Sequence, residues 1–345
     1  MHSAADQHFM RAALAEARKG LAHTSPNPPV GAVLVARGRI VATGFHRQAG
    51  APHAEIDCLR NFGAAVPGDA VLYVTLEPCS TSGRTPPCTE ALLAAGVKNL
   101  VVGTMDPNPA HRGRALAIMR EAGVSVRSGI LEAECAALSS AFNKWIQTQR
   151  PLVIAKCGMS LDGRLTRPPG EEQWLTSPAA RRHANRMRAE VDAILIGAET
   201  LRRDDPRLTV RGIRGARQPW RVVLTRSNRL PRDAQMFTDR FADRTLVFRN
   251  RPLAAVLEEL GQQEITSILI EGGGDILGQA LDARLVDRVH LYVAALLTGG
   301  PVLAFPGRGA ASSRDAMRLR NVRYEALGGD IFVSGDAAYE AAASE

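Results

Sequence analysis

Short apolar runs alternate along the chain with segments in which apolar residues recur every three or four positions. Apolar runs bounded by glycine, proline or polar residues predict strands, and the spaced pattern predicts amphipathic helices. In the first half, strands are expected over 30–35, 40–44, 70–76, 99–104 and 124–129, and helices over 6–19, 53–61, 88–95 and 113–122. Strands that alternate with helices indicate a largely parallel sheet with helices on both faces.

The same alternation continues after a break near residue 150. A helix over 132–149 is expected to end at Arg150-Pro151, because proline lacks an amide hydrogen and restricts the residue before it. Beyond that point strands are expected over 152–160, 193–198, 221–225, 245–248, 267–273 and 287–295, and helices over 178–190 and 275–283. The prediction is two α/β domains, residues 1–149 and 150–345, with a frayed terminus over 337–345.

The composition supports two globular domains and narrows the class of partner. The chain has 345 residues, of which 45% are apolar and 23% charged, and this length favours two cores over one. No run approaches the roughly 18 apolar residues of a membrane span, and no apolar signal core is seen, so we expect a cytoplasmic protein without a membrane partner. The net charge of +8 is spread along the chain, which argues against a nucleic-acid partner and leaves arginines for anionic small molecules.

One histidine and two cysteines stand at the ends of predicted elements. His53 and Glu55 fall at the start of a helix, Cys79 follows the strand over 70–76, and Cys88 opens the next helix. His-x-Glu followed by Pro-Cys and a second cysteine is the signature of zinc deaminases, although the second cysteine here comes nine residues after the first instead of three. One imidazole and two thiolates leave a fourth position on zinc for water, whose pKa the metal lowers. Glu55 is placed to move a proton from that water to a leaving amine.

The other candidates in the first half and the remaining cysteines have simpler interpretations. Glu77, at a strand end, is a rival for the proton-transfer role, but it does not stand beside a ligand at a helix start. Cys58, Cys135 and Cys157 lie in apolar runs and are expected to be buried packing thiols. An odd count of five cysteines also disfavours a disulfide framework.

The second half carries a glycine-rich turn between a predicted strand and a predicted helix. The backbone amides of Glu271-Gly272-Gly273-Gly274-Asp275 would meet a phosphate at a helix N-terminus, or the segment would simply form a tight turn. The full dinucleotide fingerprint is absent from the sequence. The arginine-rich stretch 202–217 is either a solvated loop or a phosphate-binding segment, so the residues alone leave the function of this half open.

Several blocks of sequence resemble one known family, the bifunctional riboflavin-biosynthesis deaminase-reductases of the RibD type. In the first half the resemblance is carried by SPNPPVGAVLV (25–35), PHAE (52–55), TLEPCSTSGRTPPC (75–88) and DPNP (106–109). In the second half it is carried by KCGMSLDGRL (156–165), GEEQWLTSPAARR (170–182), GAETLRRDDPRLTVR (197–211) and ILIEGGGDILGQAL (268–281).

The resemblance implies a fold and a reaction for each half. The N-terminal domain would have a cytidine-deaminase-like α/β/α fold, bind one Zn²⁺ per chain through His53, Cys79 and Cys88, and use Glu55 as the catalytic proton shuttle. It would deaminate 2,5-diamino-6-(5-phosphoribosylamino)pyrimidin-4(3H)-one. The C-terminal domain would have a dihydrofolate-reductase-like α/β fold and use NADPH to reduce the ribosyl group of 5-amino-6-(5-phosphoribosylamino)uracil to ribityl. A homodimer through this domain is also expected, since the strands over 267–273 and 287–295 are apolar.

The resemblance also implies, position by position, which residues of the second half contact ligands. Those implied to contact NADPH are Gly158, Trp174, Thr176, Thr200, Asp204, Arg226, Gly273, Gly274, Asp275, Ile276, Leu277, Gly278 and Gln279. Those implied to contact the substrate are Glu172, Arg188, Leu208, Arg211 and Glu271. Arginines suit a terminal phosphate because the guanidinium is always charged and binds it bidentately.

Three positions depart from the family pattern. Thr81 stands where many members have histidine, and Glu172 and Arg226 stand where serine is frequent. Glu172 would repel a substrate phosphate, whereas Arg226 would attract the 2′-phosphate of NADPH.

Two other functions remain open on the sequence alone. A nucleic-acid base deaminase with an accessory domain would need stacking aromatics around the zinc, whereas the aromatics of residues 1–149 lie mostly in apolar runs that are typical of core. A non-catalytic ligand-binding protein with a structural zinc would need a fourth protein ligand, and no further Cys or His stands near the three in sequence.

Overall fold

The computed structural model describes residues 3–81, 86–166, 171, 174–227 and 229–339, and the chain divides into two units, residues 1–149 and 150–345. Both units combine helices with a sheet, which confirms the predicted α/β class. No helix within the described ranges is long and apolar enough to cross a membrane.

Unit 1 is built on a five-stranded sheet. Its strands are β1 (Gly31–Ala36), β2 (Arg39–Phe45), β3 (Val71–Leu76), β4 (Asn99–Thr104) and β5 (Ser125–Ser128). Its helices are α1 (Ala4–Arg18), α2 (Ala54–Phe62), α3 (Cys88–Ala94), α4 (Arg114–Glu121), α5 (Glu132–Leu138) and α6 (Ser140–Thr148). The strand order is β2-β1-β3-β4-β5, with β3, β4 and β5 parallel and β1 antiparallel to both of its neighbours. The expectation of a largely parallel sheet therefore fails at β1, which runs opposite to the other four strands.

The antiparallel pairing of β1 with β2 has a local cause. Ala36 pairs with Arg39, so only Arg37 and Gly38 connect the two strands. Both connecting residues have positive φ, 49° and 71°, as a type I′ hairpin turn requires. A connection of two residues can join only antiparallel strands, because a parallel return needs a crossover.

Both faces of this sheet are buried, which makes unit 1 an α/β/α sandwich. Successive side chains of a strand point to opposite faces. Leu34 accordingly packs in the cluster that contains α2 and α4 residues, whereas Val33 and Val35 pack in the cluster formed with α1. The single helix expected over 132–149 is interrupted at Ser139, whose backbone leaves the helical region, because serine favours helix ends over helix interiors.

Unit 2 is built on an eight-stranded sheet. Its strands are β6 (Leu152–Ser160), β7 (Ala193–Gly197), β8 (Trp220–Thr225), β9 (Thr245–Arg249), β10 (Ser267–Glu271), β11 (Arg288–Ala294), β12 (Arg318–Leu327) and β13 (Asp330–Ala338). Its helices are α7 (Pro178–Ala189), α8 (Ala198–Asp204), α9 (Gln235–Thr238), α10 (Leu253–Gln262) and α11 (Gly274–Asp282). The order is β12-β13-β11-β6-β10-β7-β8-β9, parallel from β11 to β9 and antiparallel at β12 and β13.

The apolar pattern misses the last two strands of unit 2. β12 pairs only with β13 and is exposed along most of its length, so its charged sequence contains no apolar run. Residues 337–345 were expected to fray, but Ala337 and Ala338 pair with Leu319 and Arg318 in the sheet. That expectation is wrong for these two residues, because backbone hydrogen bonds to β12 hold them. The pattern also misses α8, α9 and α10.

Candidate functional site

His53, Cys79 and Cys88 converge in unit 1. His53 is the N-cap residue of α2, Cys79 lies beyond the C-terminal end of β3, and Cys88 is the first residue of α3. His53 Nδ1 lies 3.2 Å from Cys88 Sγ and 3.5 Å from Cys79 Sγ. All three donor atoms lie within 4.8 Å of one another, so the fold gathers the three predicted ligands around one point.

The chemistry of these donors fits zinc. One nitrogen and two sulfurs are the donor types that Zn²⁺ prefers, and the sulfurs bind as thiolates. The backbone N–H of Cys88 donates to Cys79 Sγ at 3.2 Å. The hydrogen bond from the Cys88 thiol, together with contacts to His53 and to this N–H, lowers the pKa of Cys79 below its ordinary value. The site therefore already stabilises a thiolate, the form in which a cysteine ligates a metal.

Glu55 lies beside the three candidate ligands and interacts with all of them. It occupies the first turn of α2, and only 3% of its surface is exposed. Burial raises the pKa of its carboxyl, while the neighbouring His53 opposes the rise in part. A carboxyl whose pKa is raised toward neutrality can accept a proton and return it, as a general acid–base group must.

A second histidine, His46, supports the ring of His53. It is buried, and its ring lies edge-on to that of His53 with the centroids 5.2 Å apart. Its Nδ1 lies 3.0 Å from the Pro52 carbonyl oxygen, and its Nε2 lies 3.0 Å from the Asn27 side-chain nitrogen. Nδ1–H donating to the carbonyl leaves Nε2 to accept from the amide, and burial lowers the pKa of His46, so the ring is neutral and fixed. Sequence reasoning assigned no role to Asn27, although this residue lies within the family-like segment 25–35.

The rival carboxylate of the first half and the three other cysteines do not belong to the cluster of candidate metal ligands. The Glu77 carboxylate accepts hydrogen bonds from three backbone N–H groups, which leaves Glu55 as the carboxyl at the candidate ligands. Cys58, Cys135 and Cys157 are buried, and burial raises the pKa of each to about 12. These three thiols are protonated and enclosed, as expected of packing residues.

In unit 2 the predicted reductase residues surround a cavity of about 1100 Å³. It lies at the C-terminal ends of β6, β7 and β10, which is where parallel sheets bind ligands. The lining residues implied for NADPH are Gly158, Trp174, Thr176, Thr200, Asp204, Gly273, Gly274 and Asp275. The lining residues implied for the substrate are Arg188, Leu208, Arg211 and Glu271.

The other implied cofactor residues of α11 do not line this cavity. Ile276 and Leu277 are buried in the core cluster of the sheet. Gly278 is pressed against Pro306, whose carbonyl oxygen would lie 1.6 Å from an added Cβ. The Gln279 side chain hydrogen-bonds within α11 at 3.0 Å. Any cofactor contact of this helix therefore runs through its first turn, where free N–H groups favour phosphate.

One predicted contact stands apart from the cavity lining, and another falls outside the described residues. Arg226 follows β8, is 81% exposed in its side chain, and lies 3.6 Å from the carboxylate of Asp275. It therefore stands beside a lining residue at the start of α11 without lining the cavity itself. Glu172 lies outside the described residues.

A cluster of charges lies in the wall of the cavity. Arg188 Nε and Nη2 bind the two carboxylate oxygens of Glu271, each at 2.7 Å, and Lys156 Nζ lies 3.6 Å from the same carboxylate. Burial raises the pKa of Glu271, but these two cations outweigh it and lower the pKa to about 2. The guanidinium of Arg188 is therefore already paired with the Glu271 carboxylate. A second arginine, Arg211, also lines the cavity.

Sequence reasoning missed Lys156 and Tyr292, which also line the cavity. Lys156 Nζ lies 5.7 Å from the centroid of the Tyr292 ring, and the Tyr292 hydroxyl lies 2.8 Å from His183 Nδ1. A signal for Lys156 is its place inside the apolar run 152–160, since lysine is almost never buried without a partner. Tyr292 carries no comparable signal, because a tyrosine in a strand is usually core.

Comparison with known families agrees with this geometry. Residues 3–104 match the cytidine and deoxycytidylate deaminase zinc-binding region, and residues 151–333 match the RibD C-terminal domain. The protein is thus an enzyme with a zinc-binding deaminase domain and a reductase domain.

Similarity to individual proteins extends over the whole chain. The riboflavin biosynthesis protein RibD of Synechocystis is 38% identical, with 96% of each chain covered, and that of Escherichia coli is 37% identical, with 94% of this chain and 98% of the relative covered. The structure of Acinetobacter baumannii RibD superposes with a TM-score of 0.88 at 36% identity, covering 97% of this chain and 99% of that one. The chain belongs to the RibD family of riboflavin biosynthesis enzymes, whose reductase domain uses NADPH.

Proposed function

We propose that the chain catalyses two consecutive steps on phosphoribosylaminopyrimidines. Unit 1 deaminates 2,5-diamino-6-(5-phosphoribosylamino)pyrimidin-4(3H)-one, and unit 2 reduces the ribosyl group of the resulting 5-amino-6-(5-phosphoribosylamino)uracil with NADPH. A Thermotoga maritima protein of 32% identity and TM-score 0.87, covering 97% of this chain and 99% of that one, is described as a diaminohydroxyphosphoribosylaminopyrimidine deaminase and 5-amino-6-(5-phosphoribosylamino)uracil reductase. That similarity supports the assignment of substrates.

In unit 1 the residues of the chain hold the metal and move protons. His53, Cys79 and Cys88 would bind zinc, and zinc when bound makes a hydroxide nucleophile available near neutral pH. Glu55 takes up the proton of the attacking water and delivers it to the amine that leaves as ammonia. The His46 ring packs edge-on against the His53 ring and keeps it in place.

A catalytic zinc fits the site better than a structural one. Within the described ranges, the cluster of metal-ligating side chains contains His53, Cys79 and Cys88 and no fourth member. Structural zinc sites close all four positions with protein ligands, whereas catalytic sites keep one position free. The convergence of three ligands beside the buried Glu55 is the observation that carries the deaminase assignment.

In unit 2 the chain binds and orients the two reactants. NADPH, when bound, supplies the hydride for the sugar carbon that carries the amine. The first turn of α11 and Thr200 would hold the cofactor, and Arg226 would recognise its 2′-phosphate. Arg211 would contact the substrate phosphate, and Arg188 would hold Glu271 ionised at the cavity wall, as part of the substrate site. The roles of these residues rest on the resemblance and on their place around the cavity.

The experiment that tests the proposal follows the two reactions separately in purified, zinc-loaded protein. The diaminopyrimidine substrate should release one ammonia without NADPH, and NADPH should be oxidised only with the deaminated compound. Absence of ammonia release would exclude the deaminase, and absence of NADPH oxidation would exclude the reductase.

We further propose a cytoplasmic homodimer that forms through unit 2. The edge strand β12 and its neighbour β13 expose Tyr324 and Ile331, with 75% and 48% of their surfaces accessible, and an unpaired edge with apolar side chains favours association. Phosphorylated sugars and NADPH are cytoplasmic metabolites, in keeping with that location. Light scattering of the full chain at several concentrations distinguishes a dimer from a monomer.

A further inference from the structure

Glu77 is a buried carboxylate whose contacts differ from those of a proton shuttle. It immediately follows β3 and precedes the candidate ligand Cys79 by two residues. Its Oε2 accepts the backbone N–H of Asp106 at 3.1 Å and that of Gly113 at 2.9 Å, and its Oε1 accepts the N–H of Ala115 at 3.1 Å. Three backbone donors therefore converge on one side chain.

These three donors come from both ends of the loop that joins β4 to α4. Asp106 lies near the start of this loop, Gly113 is the N-cap residue of α4, and Ala115 lies in the first turn of the helix. Gly113 has a left-handed backbone with φ 80° and provides no side-chain cap. Glu77 thus supplies the missing cap from another loop and satisfies N–H groups that a helix start leaves free.

The loop between these ends is folded on itself. The Asp106 carboxylate accepts the N–H of Asn108 at 2.8 Å, and the Asn108 side chain accepts the N–H of Ala110 at 3.1 Å. Loop 105–113 is therefore internally braced, and Glu77 fixes both of its ends to the segment that leads to Cys79.

The same contacts place loop 105–113 beside the candidate metal ligands. β3 and β4 are parallel neighbours, with Leu76 paired to Thr104, so the segments that follow them leave the sheet at the same edge. The backbone N–H of Glu77 also donates to the Thr104 carbonyl oxygen at 2.9 Å, which extends this pairing by one residue. Asp106 is also close enough to Cys79 for their charges to interact, so a shift of the loop would change the surroundings of this candidate ligand.

We propose that Glu77 is a positioning residue of the deaminase site: its carboxylate sets the place of loop 105–113 relative to the zinc ligands and thereby sets substrate binding. This inference rests on the proposed deaminase function of unit 1. Glu77 does not contact the reacting atoms, and its effect passes through the loop.

The chemistry of the side chain explains why a carboxylate stands here. An ionised carboxylate accepts hydrogen bonds at both oxygens and donates none, so it matches three N–H donors. Glutamine of the same shape would turn an NH₂ group toward a backbone N–H and lose at least one of the three bonds. Aspartate would keep the charge but shorten the reach by one CH₂ group.

The test compares Glu77→Gln with Glu121→Gln in the zinc-loaded full chain. Glu121 is exposed at the last position of α4, so the control makes the same chemical change away from the loop. We measure zinc per chain, KM and kcat for ammonia release, the reductase rate on the same chain, and hydrogen exchange of peptides that cover 105–116. Glu77→Asp is assayed alongside, in case Glu77→Gln does not fold.

Glu77→Gln should raise KM for ammonia release by about tenfold, because substrate binding must then restore the position of the loop at a cost of about one hydrogen bond to a charged group. Its kcat should change by less than about threefold, since Glu55 and the ligands are intact, and Glu77→Asp should show a smaller rise in KM. Hydrogen exchange should accelerate in peptides that cover 105–116. Zinc content and the reductase rate of Glu77→Gln should equal those of wild type, and Glu121→Gln should equal wild type in every measurement.

Unchanged KM together with unchanged exchange in a folded Glu77→Gln or Glu77→Asp protein would overturn the proposal. A loss of zinc with kcat falling in proportion would also overturn it, because Glu77 would then support the ligands instead of the loop. Failure of the deaminase function itself is distinguishable, since wild type would release no ammonia.

Discussion

Replacing Arg188 with methionine is expected to destabilise unit 2, because Arg188 is the main partner of a buried carboxylate. Both oxygens of Glu271 bind the guanidinium at 2.7 Å, and 6% of the Glu271 side chain is exposed. Removing one partner of a buried ion pair costs about 3–5 kcal/mol. Lys156 remains 3.6 Å from Glu271, so we expect a loss of about 3 kcal/mol, at the lower end of this range.

The loss should depend on pH with a defined sign. In wild type the pKa of Glu271 lies at about 2, below its ordinary value of 4.5, so the ion pair stabilises the fold above pH 4.5 and this stabilisation is lost as pH falls toward 2. In Arg188→Met the main cation is gone, so burial raises the pKa and protonation at lower pH relieves the unpaired charge. The stability difference between wild type and variant should therefore be larger near pH 7.5 than near pH 5.

Scanning calorimetry measures this difference in the transition that NADPH shifts upward, which identifies unit 2. Arg251→Met is the matched control: it removes an exposed pair with Glu259 at 3.2 Å and should cost less than about 1 kcal/mol. The double variant Arg188→Met/Glu271→Gln should recover part of the loss, because it leaves no unpaired charge. A loss no larger than that of the control, or one equal at both pH values, would show that Arg188 does not stabilise the buried Glu271 carboxylate.

Two further predictions test one proposed binding residue in each unit, the zinc ligand Cys79 and the cofactor contact Arg226. Cys79→Ser should reduce zinc to near zero per chain and abolish ammonia release. NADPH oxidation of the separately supplied deaminated compound should persist, because unit 2 is a separate unit; zinc retained at one per chain would exclude Cys79 as a ligand. Arg226→Ser should weaken NADPH binding by about tenfold and leave NADH binding unchanged, since only NADPH carries the 2′-phosphate; equal effects on both cofactors by titration would exclude that role.

Most elements of the fold follow from apolar spacing, and the exceptions have local physical reasons. The strand β6 and the helix α1 stand out because each buries a regular apolar pattern, which in α1 consists of Met10, Ala13, Leu14 and Ala17. The direction of β2 depends on the two-residue turn at Arg37 and Gly38, which apolar spacing does not encode. β12 is stabilised by backbone pairing with β13 and carries mostly exposed side chains, so its sequence offers no periodic signal.

The candidate metal site was more predictable than the reductase site. Histidine and cysteine are uncommon residue types, and His53, Cys79 and Cys88 stand at the starts and ends of elements. Their spacing as possible metal ligands can therefore be recognised from the sequence alone. The partnership of Arg188 with Glu271 joins residues 83 positions apart, and only the fold shows that Arg188 is already occupied. The role of Glu77 was hidden for the same reason, because its partners are backbone N–H groups that have no signature in sequence.

Glu55 is proposed to move protons at a zinc site in unit 1, independently of the reductase in unit 2. The decisive measurement is ammonia release from the diaminopyrimidine substrate by Glu55→Gln, with zinc content measured on the same protein and NADPH oxidation measured with the deaminated compound supplied separately. We predict a fall in ammonia release of about 100-fold or more, with zinc content and NADPH oxidation equal to wild type. Ammonia release at the wild-type rate, with zinc retained, would contradict the account.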